Sequence, residues 1–282
     1  MIQSTFPVRQ IGDFEITALS DGVLSARLDL LSGIENAAAN EIQEHAGVAE
    51  PGDIHINGYL IRGRGRIILV DAGAGGVNNV GGDLITHLAA VGVDPDEVDT
   101  VLLTHCHPDH IGGLLDAEQR PVYQHADIFL HPLEAEHWWD DNTLNSADAR
   151  TARTARNFRL VRQTLQACGQ QVRFFDENSV AEGILPVWLP GHTPGHTGFL
   201  IHSHDKDLLI WGDIVHYPHI QSALPEVCIA FDADPALAEA TRKEVLERAV
   251  RENLLVAGMH IGPQGFARVL RVGGGYRLSY SG

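Results

Sequence analysis

The stretch Thr104-His105-Cys106-His107-Pro108-Asp109-His110, followed at once by Ile111-Gly112-Gly113, decides how the rest of this chain is read. It continues directly from Val98–Leu103, an apolar run expected to form a buried strand. Alternate side chains of an extended segment project to the same side, so His105 and His107 can chelate one ion together. Pro108 forces a turn that can swing Asp109 and His110 toward a second position. Cys106 lies on the opposite face and is expected to pack rather than to bind. Imidazoles with a carboxylate suit zinc or a similar first-row metal far better than magnesium or calcium.

Four residues cannot close two metal sites. Three further donors stand just beyond expected strands: His192 in Leu189-Pro190-Gly191-His192-Thr193-Pro194-Gly195-His196, Asp213 in Trp211-Gly212-Asp213, and His260 in Ala257-Gly258-Met259-His260. Loops at strand ends converge on one edge of a sheet, where they can build a common site.

The remaining pattern alternates strands and helices. Phe14–Leu19 reads as a strand ending at an Asp21-Gly22 turn, and Asn57–Ile61 with Arg66–Val70 as a hairpin around Gly63-Arg64-Gly65. Asp83–Val91 reads as a helix, as does the longer stretch from about Ala147 to Cys168. Val172–Phe175, Ile184–Leu189, Gly198–His202 and Leu208–Trp211 read as strands. Asp234-Pro235 has the chemistry of a helix start, a capping carboxylate before a proline, for a helix running to about Glu252. No repeat or linker divides the chain, so one layered α/β domain over residues 1–282 is expected.

Composition bounds the function. With 20 Lys and Arg against 37 Asp and Glu, the formal charge of the 282 residues is −17, which argues against binding nucleic-acid phosphates or anionic membranes. No apolar run reaches the roughly 18 residues a bilayer requires. The start MIQSTFPVRQIGDFEI has no basic segment leading into an apolar one, and the three cysteines are too scattered for a disulfide framework. The expectation is a cytoplasmic protein. Sixteen histidines are many for this length, and they cluster.

ILVDAGAG (residues 68–75), THCHPDH, PGHTPGHTG, WGD and GMH, in that order, resemble the metallo-β-lactamase fold superfamily over essentially the whole chain. The resemblance implies an αββα sandwich, two mixed sheets flanked by helices, with a two-metal site at one edge. It implies that His105, His107 and His192 hold the first ion, that Asp109, His110 and His260 hold the second, and that Asp213 bridges them. Zinc is the default metal, with iron, manganese or cobalt as alternatives.

WGDIVHYPHIQ, CIAFDADPALAEATRKEVLERA and HPLEAEHWWDD are similar to the branch containing methyl parathion hydrolase, dihydrocoumarin hydrolases and related lactonases. The implied activity is opening of lactones or cleavage of aryl esters by a hydroxide shared between the metals, with side activity on organophosphate triesters. Acyl-homoserine-lactone lactonases usually carry tyrosine where His216 stands here. Glyoxalase II relatives carry a C-terminal helical domain, for which the 22 residues after His260 leave no room. The alternatives are a β-lactam, thioester or phosphodiester hydrolase of the same fold, or a silent metal-binding or signalling relative. A small-molecule substrate is the expected partner. Dimers are common in this branch, so a homodimer is one expectation.

Asp109 is expected to orient the hydroxide and carry its proton, and His216 either to donate to the developing oxyanion or to support the ligands from behind. Asp71 is expected to bond a ligand from outside or to cap its loop, and His196 to support its turn. Trp138 and Trp139 either line an apolar pocket or pack a helix start. His125, His131, His202, His204 and His219 are read as surface or satisfied groups. The acids of Glu35–Glu50 are read as a solvated face. Protonation of ligand imidazoles predicts activity rising through a pKa of about 5 to 7.

Overall fold

The computed structural model describes residues 6–145, 152–176 and 180–280. In chain order its strands are β1 (Val8–Ile11), β2 (Phe14–Ser25), β3 (Leu31–Ser32), β4 (Asp53–Gly63), β5 (Arg66–Val70), β6 (Thr100–Leu102), β7 (Asp127–Leu130), β8 (Val172–Phe174), β9 (Ile184–Trp188), β10 (Thr197–Ser203), β11 (Lys206–Ile210), β12 (Cys228–Ile229), β13 (Leu255–Ala257), β14 (Phe266–Val272) and β15 (Gly275–Ser279). The helices are α1 (Asn36–His45), α2 (Leu84–Ala90), α3 (Pro108–Ile111), α4 (Pro132–Trp139), α5 (Asp141–Asn145), α6 (Ala152–Ala167), α7 (Pro218–Ala223) and α8 (Pro235–Arg251).

Two mixed sheets carry the fold, one in the order β1-β2-β4-β5-β6-β7-β8 and the other β15-β14-β13-β11-β10-β9, while β3 and β12 pair separately. The alternation of side chains along each strand sorts the core into layers. Ile16, Tyr59, Ile61, Ile68, Val70 and Leu102 of the first sheet meet Phe199, Ile201, Leu208, Ile210 and Phe266 of the second. Their intervening neighbours point outward. Leu60, Leu69 and Val101 pack under Leu84 and Leu88 of α2, Trp138 of α4, and Phe158, Val161 and Leu165 of α6. Leu209, Val256 and Val269 pack under Val245, Leu246 and Ala249 of α8. Helices therefore cover both outer faces, giving the expected αββα sandwich. A strand buried on both faces shows no apolar–polar alternation, which is why RIILV and its like read as unbroken apolar runs.

The turn expected at Asp21-Gly22 is instead a β-bulge. β2 continues to Ser25 with its register shifting between Ser20 and Gly22. The extra residue turns Asp21 inward, where its carboxylate accepts the backbone N–H groups of Ala74, Gly82 and Leu84. That contact ties β2 to the loop after β5. At the Gly63-Arg64-Gly65 turn, Arg64 and Gly65 both take positive φ, as a two-residue hairpin loop requires. Asp234 caps α8 by accepting the Leu237 N–H at 3.0 Å. The start expected for the long helix near Ala147 lies outside the described residues, and α6 accounts for the rest of it.

Candidate metal centre

Strands of both sheets end at one edge of the sandwich, and their following loops supply the donors. His105 follows β6, and His107 leads into the short α3 that Pro108 starts and that carries Asp109 and His110. His192 lies between β9 and β10, Asp213 follows β11, and His260 follows β13. The structure brings all seven together.

The Asp213 carboxylate is at the middle. Its Oδ2 lies 3.6 Å from Nε2 of His105, 3.2 Å from that of His110, 3.3 Å from that of His192 and 3.2 Å from that of His260. His105 Nε2, His107 Nδ1 and His192 Nε2 form a triangle with sides of 2.9, 2.9 and 3.2 Å. Three ligands of a tetrahedral zinc with Zn–N of about 2.0–2.1 Å would stand about 3.3 Å apart, so the triangle has the size of a metal tripod. On the other side, Asp109 Oδ2 lies 3.6 Å from His110 Nε2 and 3.5 Å from His260 Nε2. His110 Nε2 and Asp213 Oδ1 are buried without a hydrogen-bond partner, a costly arrangement that a bound cation would relieve. The donor set fits two divalent ions.

Four rings are aimed inward by what their other nitrogens meet. His105 Nδ1 lies 3.1 Å from Thr104 Oγ1, His110 Nδ1 2.6 Å from Asp71, His192 Nδ1 2.9 Å from Asp232 and His260 Nδ1 2.7 Å from the His55 carbonyl. Such contacts fix tautomer and ring orientation. Asp71 also accepts the Thr104 N–H and hydroxyl, so it supports the site from outside as well as holding its loop.

The charges answer one another. Burial alone would raise the Asp213 carboxyl, but the surrounding imidazoles, His110 and His260 foremost, hold it well below the usual range. Burial and the neighbouring imidazoles push His105 and His107 well below the ordinary histidine value. Burial opposes protonation of His192 as well, yet the carboxylates of Asp213 and Asp232 raise it to about 9.

His196 is not one of the donors. Its Nδ1–H donates to the Leu189 carbonyl at 2.8 Å, and its Nε2 accepts the Asp213 N–H at 2.9 Å. Gly212 permits this approach, because a Cβ there would stand 2.3 Å from His196 Nε2. His216 does reach the centre, its Nε2 3.2 Å from Asp213 Oδ2 and its ring stacked on His260. Burial lowers its pKa to about 4, so the imidazole is neutral at pH 7. Cys106 is fully buried in the outer core layer. Trp138 is buried edge-on to His107, while Trp139 is half exposed. Among the surface histidines, His202 pairs with Asp207, His204 with Asp13, and His131 caps α4 by accepting the Leu133 N–H.

Two supporting carboxylates escape sequence reasoning. Asp232 faces His192, and the buried Arg242 stands behind it, binding the carbonyls of Ile214, Pro225 and Val227. Glu134 is fully buried and accepts the Cys106 N–H, the Trp138 indole N–H, the Gly195 N–H and the Thr193 hydroxyl. It thereby locks the His105–His107 segment to the His192 loop.

The sequence profile of the metallo-beta-lactamase superfamily matches residues 51–260. The chain belongs to the metallo-beta-lactamase superfamily. Among curated relatives of this superfamily member is the probable metallo-hydrolase YqgX of Bacillus subtilis (strain 168), 25% identical over 168 residues, or 58% of this chain and 68% of the relative. Among solved structures, the hydrolase AbOPH of the beta lactamase superfamily superposes with a TM-score of 0.91 at 26% identity, covering 99% of this chain and 98% of its own. AidC, a dizinc quorum-quenching lactonase solved with a product, superposes with a TM-score of 0.90 at 25% identity, covering 97% and 96%. Family and relatives together make this metallo-beta-lactamase protein a metal-dependent hydrolase.

Proposed function

We propose that the protein opens lactones or cleaves aryl esters at a centre of two divalent ions, zinc by default. The observation that carries this is the seven-donor cluster around Asp213, with four of its imidazoles fixed from behind. In it His105, His107 and His192 would hold one ion and Asp109, His110 and His260 the other, with Asp213 placed to serve both. Divalent ions bound there would supply Lewis acidity to the scissile carbonyl and to the attacking water.

The chain's own groups do the rest. Asp109 is the donor carboxylate with solvent access, its side chain 20% exposed against 2% for Asp213, so it is placed to take the water's proton and pass it to the leaving oxygen. His216 is neutral and donates one N–H toward the oxygen on which charge develops. Trp138 sets its ring edge-on against His107 and gives that side of the centre an apolar wall. The similarity to AidC favours lactones as the leading class. Organophosphate triesters are a side activity of the same centre.

The test is a panel of dihydrocoumarin, a γ-lactone, an acyl-homoserine lactone, paraoxon, nitrocefin and a glutathione thioester, given to metal-loaded protein and to its His107→Ala variant. Lactone turnover lost in the variant supports the reading. Turnover of nitrocefin or the thioester alone keeps the centre and replaces the substrate class.

A further inference from the structure

Helix α6 borders the donor cluster at two places. Its Phe158 packs on Trp138 with ring centroids 4.8 Å apart, and Trp138 stands 5.6 Å from the His107 ring. Near its start, Arg153 lays its guanidinium over the Phe231 ring, 4.8 Å from the centroid, and Phe231 lies 5.9 Å from the His216 ring. Phe231 is fixed in turn, because the next residue, Asp232, is bonded to His192. Arg153 is thus connected through one aromatic ring to the residue placed against the reacting oxygen.

The helix also carries more charge than the described residues around it neutralise. Its sequence ARTARNFRLVRQTLQA holds four arginines at three-residue spacing and no carboxylate. Arg162 pairs with Asp141 and donates to the Trp138 carbonyl. Arg153, Arg156 and Arg159 are exposed and form no ion pair with any described residue. In a chain of net charge −17, guanidiniums gathered without carboxylates repel one another at a cost to stability. Partial burial and, after it, the charge of Arg156 push the Arg153 pKa down, and no acid among the described residues offsets them. A guanidinium held over a ring by its carbon still has N–H groups to offer, and that planar fork matches a carboxylate. Against the repulsion of an acidic protein, a local basic stripe beside the site would draw in an anionic substrate.

Resting on the hydrolase reading above, we propose that the substrate bears a carboxylate remote from its scissile bond, and that Arg153, seated on Phe231, selects it. The chemical class is the lactone or ester with an anionic tail. Arg156 adds to the attraction without touching Phe231.

Mono-4-nitrophenyl esters of glutarate, adipate and suberate, each against the 4-nitrophenyl alkanoate of equal chain length, test this in metal-loaded protein. The wild type should show a KM about tenfold lower for at least one diacid monoester than for its neutral match, the scale of one charge-assisted contact at a partly exposed site. Arg153→Gln should collapse that ratio, Arg153→Lys should keep part of it, and 0.5 M sodium chloride should erode it about as far as Arg153→Gln does. Melting temperatures check that the variants fold. Equal KM values within every wild-type pair, or an Arg153→Gln effect that is the same on both members, would overturn the proposal. Should no ester be cleaved, the aryl-ester part of the reading fails by itself and lactones remain. Calorimetric titration of suberate then decides, with tighter binding to wild type than to Arg153→Gln supporting the anion site and equal binding overturning it.

Discussion

Asp232 holds His192 from behind: its carboxylate lies 2.9 Å from Nδ1 of the ring whose Nε2 faces the metal centre. The carboxylate is itself anchored by the Ile229 N–H and stands 3.6 Å from the buried Arg242. A neutral amide in its place would still orient the ring but would no longer make the imidazole more basic. Asp232→Asn should therefore weaken metal binding by about 10- to 100-fold, the usual scale for such outer partners. Competition with a chromophoric chelator measures it, and unchanged affinity would show that the carboxylate does not tune the ligand.

Glu134 joins two donor segments that are 85 residues apart, since His107 and His192 meet at 2.9 Å only if both loops are held. Glu134→Ala would leave the Cys106 and Gly195 N–H groups and the Trp138 indole buried and unpaired. Each such group costs about 1–3 kcal/mol, so a loss of at least about 3 kcal/mol is expected in urea unfolding. Glu134→Gln should cost less, because it keeps the shape and an acceptor oxygen.

The thiols should be silent. Cys106 is fully buried, and burial followed by the nearby Glu134 carboxylate raises its pKa well above the usual thiol value. Burial raises Cys168 to about 11. At pH 8 neither supplies appreciable thiolate, so a disulfide reagent should label both only after denaturation. Fast labelling of either in the native protein would contradict this packing.

Acid should weaken the first sheet through Asp99. Burial works against ionisation of this carboxyl, but Arg66, the Ile67 N–H and Thr100 together hold its pKa below the ordinary value. The folded state therefore binds fewer protons than the unfolded chain in the window beneath about pH 3.8. The contribution is complete above that value and is lost as pH falls through the lowered pKa. Asp99→Asn should flatten the dependence of unfolding free energy on pH between about 4 and 2, with little change in slope above 5.

The sequence made some of this legible for physical reasons. β5, β6 and β11 end in residues buried on both faces and declare themselves as apolar runs, with His105 just beyond β6 and Asp213 just beyond β11, whereas His192 follows the edge strand β9, whose Leu185 and Trp188 are exposed. β7 is four residues long and alternates too briefly to be read. The β14–β15 hairpin has no unbroken apolar run, because Arg268, Arg271 and Arg277 interrupt it. α1 buries only Ala39 and Gln43, so it carries almost no apolar stripe to declare it a helix, while its acids Glu35, Glu41, Glu44 and Glu50 are exposed, as expected of a solvated face. Glu134 and Asp232 are single acids with no periodic or motif signal of their own. Their meaning comes from partners far along the chain, which only the folded arrangement supplies.

The central claim is that hydrolysis needs two ions held around Asp213. Protein stripped by a chelator and titrated with zinc, with dihydrocoumarin turnover followed at each step, tests it most directly. The account predicts turnover that rises until two equivalents are bound and then levels, and that stays low at all loadings in Asp213→Asn. Full turnover at one equivalent, or turnover indifferent to added metal, would contradict it.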